Sequence, residues 1–183
     1  ASDFQTDGPR RHNSAERQQQ AIRWYHQWDE QNRFVIRYDN NDAPLLQDPS
    51  ALTPEDWRED PTQTVQRAID FNTRKDIHPR QGSFSWFHES NNGGGLLSLW
   101  QGDRDIEQFL PFAGDDTTSS GAVIDVSRQF EGAHARWRQR GVNWSATVGA
   151  QLERQQDHRF GYVNDNGEKG DLRRNEFNWI ENA

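Results

Sequence analysis

Asp103, Asp105 and Glu107 recur at alternate positions and are the first residues in this chain whose types and spacing could do chemistry. Two carboxyl groups held close together could work as a general acid and a general base. Residues two apart on a strand share a face, however, and the surrounding stretch alternates like a strand. An ion-pair network with arginines is therefore the stronger reading of these acids. The six histidines, His12, His26, His78, His88, His134 and His158, show no His-x-x-x-His spacing and have no cysteine to join them. That leaves no metal centre to assign. Asp115-Asp116 and Asp165-Asn166-Gly167 resemble pieces of calcium loops without the full set of spaced oxygen ligands. No glycine-rich phosphate loop or activated nucleophile motif is present, so the chain reads as a non-enzyme without a cofactor.

The charge that remains belongs to arginine. Among 21 cationic residues only Lys75 and Lys169 are lysines. Guanidinium groups suit planar recognition of carboxylate or phosphate and ion-pair ladders along a polar wall. The net charge of -8 argues against nucleic acid as a partner.

These groups need elements to hold them, and the composition limits which ones. Only 31% of residues are hydrophobic and the mean hydropathy is -1.17, values that by themselves suggest disorder. Eight Trp, ten Phe and three Tyr argue the other way. A transmembrane β-barrel reconciles the two, because only one face of each strand must be apolar. The alternative is a secreted β-sandwich binding module for carbohydrate or a protein partner. No stretch approaches the ~20 apolar residues that a spanning helix requires.

Period-two alternation gives about eight antiparallel strands. They cover Ser2 to Thr6, Ala15 to Trp28, Arg33 to Asn40, Gln81 to Ser90, Leu96 to Phe109, Ala122 to Arg140, a clean stretch from Asn143 to Leu152, and a last strand from Leu172 onward. Short turns are expected at Asp29–Asn32, Asn91–Gly95 and Gly141–Asn143. Longer loops are expected at Gly8–Asn13, Leu45–Lys75, Phe112–Ser120 and Tyr162–Asp171. Short turns at one end and long loops at the other is how an outer-membrane barrel is threaded. It predicts turns in the periplasm and loops outside. Thr53-Pro54-Glu55-Asp56-Trp57 reads as a helix start, and a second short helix is expected over Thr62 to Asp70. Trp24, Trp28, Tyr38, Trp137 and Trp144 are candidates for interfacial aromatic girdles.

Several segments have a familiar look. Leu52-Thr53-Pro54-Glu55-Asp56-Trp57, continuing through Asp60-Pro61 to Phe71-Asn72-Thr73-Arg74-Lys75, resembles an extracellular loop of TonB-dependent outer-membrane receptors. Gly102 to Phe109, Asp125 to Phe130 and Arg136 to Gly141 are similar to successive barrel segments of that family. Gly161-Tyr162, with Gly167 to Glu176, resembles the next loop and descending strand. The likeness is greatest to the subgroup implicated in pyrroloquinoline-quinone uptake. It implies that residues 1–183 are one segment of a large barrel, with plug domain, TonB box and closing strands lying outside it. The implied partners are outer-membrane lipid, the TonB complex, the plug and a small anionic ligand such as a siderophore-like chelate or cofactor. On this reading the candidate ligand contacts are Arg10, Arg11, Trp57, Arg74, Arg104, Arg128, Arg173 and Arg174, near the outer rim. Pairing with Asp103, Asp105, Glu107, Glu168 or Glu176 is the competing role for the arginines.

Overall fold

Alternating side chains build strands, and here each strand finds its partner in the next one along the chain. The computed structural model describes residues 1–183 as one antiparallel sheet of eight strands in sequence order. They are β1 (Ser2–Thr6), β2 (Ala15–Gln27), β3 (Asn32–Gln47), β4 (Arg74–Ser90), β5 (Gly93–Phe109), β6 (Val123–Arg140), β7 (Ser145–Asp165) and β8 (Glu168–Asn182). Two short helices, α1 (Pro54–Glu59) and α2 (Gln66–Asp70), lie between β3 and β4. This is the all-β up-and-down meander, with a short helical loop, that the alternation predicts.

Register assigns every side chain to a face. Ile22, Trp24 and His26 stand opposite Tyr38, Ile36 and Phe34. That face continues through Phe84 and Trp86, Leu99 and Leu97, Ala133 and Ala135, to Leu152 and Ala150. The other face carries Arg23, Arg37, Ser83, Ser85, Ser98, His134, Gln151 and Glu153. One face is apolar through its middle and the other is polar. Only eleven of 183 residues are buried, so no second sheet or layer covers the apolar face. A soluble sandwich would have hidden Trp144, Ala146, Val148, Ala150 and Leu152, yet all five are exposed.

The buried residues gather at the long-loop end: Ala43, Ala68, Thr73, Phe109, Ala122, Val123 and Asn164. The loops fold onto the strand ends there and make the only small core. Thr53 caps α1 by accepting the Asp56 N–H at 3.1 Å, with Pro54 in the first turn, as the sequence signals. The second helix is shorter than expected, beginning at Gln66.

Four expectations need correction. Tyr162–Asp171 is not a long loop; β7 and β8 run on to a tight hairpin at Asn166-Gly167, both with positive φ. Left-handed pairs of this type match strand twist, and Asn-Gly is the usual choice. Gly93–Gly95 do not form a turn but pair with Ser90, Glu89 and His88 in the β4–β5 ladder, leaving Asn91-Asn92 at the bend. β3 runs on to Gln47, and β4 starts at Arg74 rather than Gln81. Pro79 is tolerated inside β4 because the β3–β4 ladder steps from Asn40–Arg80 to Ala43–Ile77, so no N–H is required of it.

The turn between β2 and β3 is closed by Asp29. Its Oδ1 accepts the backbone N–H groups of Gln31 and Asn32 and the Asn32 side-chain amide, each at 2.8 Å. The Asn32 amide, followed by the Gln31 N–H, holds the Asp29 carboxyl below its ordinary value of 3.8. A depressed carboxyl supports the turn above the unfolded value and stops doing so as pH falls through the folded one. Following the Asp29 carboxyl carbon by NMR should give a midpoint below 3.8. A midpoint at or above that value would mean the turn is not closed this way.

Candidate functional site

Strand ends and loops bring the candidate rim together from distant parts of the sequence. Arg10 enters from the β1–β2 loop and donates to Gln63 O at 2.7 Å and Pro49 O at 3.1 Å. It thereby ties that loop to the helical one. Thr64 Oγ1 donates to Arg11 O at 2.6 Å, and His12 bonds Thr73 O at 2.8 Å. Arg10 and Trp57 share a 440 Å³ cavity with Leu52, Thr53, Pro54 and Pro61. Trp57 is 62% exposed there. In the same loop the Thr62 hydroxyl and N–H both reach Asp60, which keeps that carboxyl below its ordinary range.

Most of the other arginines serve the wall. Arg74 lies 3.6 Å over the Phe109 ring and donates to Asn72 O and Gly167 O. Arg128 grips Asp157 with two bonds, 2.8 and 2.6 Å. Arg173 donates to Asp116 O at 2.7 Å. Arg174 and Arg159 both pair with Glu176. Among the expected acids, Asp103 pairs with Arg80, and Glu107 with Lys169, which also reaches Asp125. Arg11, Trp57 and Arg104 remain exposed, and the Arg104 guanidinium has no carboxylate partner.

Asn164 is a rim residue that sequence reasoning missed. It is 1% exposed. Its amide donates to Phe71 O at 3.0 Å and Leu110 O at 2.9 Å, while its Oδ1 accepts the Gly167 N–H at 2.7 Å. One side chain thus joins two loops to the β7–β8 hairpin. A buried asparagine in a hairpin has no distinct sequence signature, which is why it was overlooked.

The apolar face has its own order. Trp24, His26 and Trp28 follow one another, with Trp24 stacked on His26 at 5.2 Å. Trp86, His88 and Trp137 form a second aromatic run near the short turns, His88 stacking on Trp137 at 5.6 Å. Asn32 Oδ1 accepts from the Trp86 indole at 3.0 Å and lies 3.0 Å from His88 Nδ1. His88 is thus an aromatic body whose Nδ1 also meets a polar partner. A broad open trough of 1220 Å³ is lined by residues of both faces, Tyr38, Leu99 and Leu152 from the apolar one and Ser83, Trp100 and Phe130 from the polar one. The Arg80–Asp103 and Arg154–Glu131 pairs border it toward the loops. Gly82 deepens the trough, since a Cβ there would meet nothing within 4 Å.

No family model matches the sequence. Its fold does match a solved structure, the ferric citrate transporter FecA in its unliganded form, with a TM-score of 0.69 over 92% of this chain. The fold is that of one part of that protein's antiparallel sheet. Sequence identity is 14%, and the chain spans 25% of that transporter's length. Eight strands in sequence order thus match a part of a larger architecture.

Proposed function

We propose that the chain is part of the barrel wall of an outer-membrane, TonB-dependent receptor that binds and imports a scarce, small anionic ligand. The observation that carries this reading is the exposed apolar band from Ile22 to Leu152, backed by a polar opposite face. A bilayer rewards that division and water does not. The likeness of fold to a ferric citrate transporter supports it. In this reading the apolar face meets lipid and the polar face lines the lumen. The Asn91-Asn92 and Gly141–Asn143 turns lie in the periplasm, and the loops holding Arg10, Arg11 and Trp57 face outward. Energy would come from TonB through a plug domain in the whole receptor. The ligand class is a siderophore-like chelate or a cofactor; the pyrroloquinoline-quinone subgroup rests on the resemblance of the sequence segments alone.

Single-tryptophan variants in vesicles with brominated acyl chains test the assignment of faces. Emission from Trp24, Trp137 and Trp144 should be quenched, while Trp57 and Trp100 should keep theirs. Equal quenching of both groups, or none of either, would sink the membrane reading.

A further inference from the structure

We infer that the polar face carries a subsite for a planar aromatic anion, built from Trp100, Phe130 and Arg104. This deepens the transporter reading and rests on it for the side from which a ligand arrives.

The floor of the subsite is aromatic. On β5 and β6 the register sets Trp100 opposite Gly132 and Gly102 opposite Phe130. A Cβ built on Gly132 would overlap the Trp100 indole, and one built on Gly102 would overlap the Phe130 ring. Each ring therefore occupies the space its glycine partner leaves free. Such cross-strand aromatic–glycine pairing fixes the ring against the backbone. Both rings are half-buried, which leaves the rest of their surface open to the polar side. Together they give the polar face an aromatic floor two strands wide.

The charge comes from Arg104, the next same-face residue after Gly102 on β5. Successive same-face positions on a strand lie about 7 Å apart, within the span of one aromatic acid and an arginine side chain. Directly opposite Arg104 are Arg128 on β6 and Pro79 on β4. Its diagonal neighbours on that face are Ile77, Gln81, Val126 and Phe130. No carboxylate stands among them. Asp103 and Asp105 adjoin it in sequence but point to the other face, where Asp103 is held by Arg80. Arg128 is already neutralised by its two bonds to Asp157. The exposed Arg104 guanidinium, with no carboxylate beside it, is left to meet an incoming anion. A fork of N–H donors beside an aromatic floor matches a ring bearing a carboxylate. A purely aliphatic acid would leave the rings unused, and a neutral arene would leave the guanidinium unmet.

The test is calorimetric titration of the whole chain in zwitterionic detergent micelles with 2-naphthoate, 2-naphthol and acetate, with empty micelles subtracted. Naphthoate should bind more tightly than either comparator. Arg104→Gln should weaken naphthoate roughly tenfold or more and leave naphthol unchanged. Phe130→Leu should weaken both ring compounds. If Arg104→Gln fails to fold by circular dichroism, Arg104→Lys takes its place, with a smaller loss expected because charge remains while the fork is gone. Naphthoate binding that ignores both the arginine and the phenylalanine, or that fails to exceed acetate, overturns the subsite. That failure alongside intact lipid quenching would leave the transporter reading standing. Loss of quenching with naphthoate binding preserved would do the reverse.

Discussion

An arginine placed at Val148 should keep the chain out of a bilayer while barely disturbing the sheet in water. Val148 is 70% exposed, lies opposite Trp137, and is flanked on its face by Ala146 and Ala150. In the apolar middle of a barrel wall a cation costs about 2–4 kcal/mol. That is roughly a thirty- to thousandfold loss of inserted protein. An exposed site away from any contact network in water would change stability by about 0.5 kcal/mol or less. Gln151→Arg is the control, on the polar face opposite His134, where the charge should be tolerated. Flotation with lipid vesicles separates the two. Equal behaviour of both variants would show that no side of this sheet is built for lipid.

Replacing Asn164 with alanine should free the rim without undoing the rest of the sheet. The change leaves Phe71 O, Leu110 O and the Gly167 N–H without their partner in a site that is 1% exposed. Leaving a buried polar group unpaired costs about 1–3 kcal/mol, so the combined loss is on the order of 3 kcal/mol. Hydrogen exchange should quicken in the segments around Phe71, Leu110 and Gly167. Amides in the β5–β6 ladder near Gly95 and Trp137 should keep their protection. Uniform loss of protection across all strands would mean that the rim and the wall unfold as one unit.

Much of this architecture is legible in the sequence because two-residue alternation and short polar turns survive any tertiary context. Alternation alone puts Ile22, Trp24 and His26 on one face of β2 and Arg23, Tyr25 and Gln27 on the other, and the register agrees. Ladder length was harder. The loop-ward half of β4 contains Pro79 and several charges, which look like loop until the irregular β3–β4 pairing removes the need for the missing N–H. The Asn166-Gly167 hairpin carried its own signal, but the polar run from Asn164 to Asp171 reads as a long loop. The rim shows a different limit. A sequence states that arginines are abundant but not which ones already have a carboxylate. Arg128 and Arg104 look alike until pairing places Asp157 beside one and Pro79 beside the other. Trp100 and Phe130 were hidden for a similar reason, since their glycine partners lie about thirty residues away along the chain.

Every ladder in this sheet joins strands that are neighbours along the chain. Such nearest-neighbour coupling makes the fold quasi-one-dimensional. Under a force applied at its two ends, no strand ladder clasps distant parts of the chain; rim bonds such as those of Arg10, Arg74 and Asn164 do. Strands would detach from the margins in turn, each release lengthening the tether by one segment. β1, held by five pairs, yields before the long inner strands do. A force–extension trace would therefore read as a staircase whose steps follow the order of the strands.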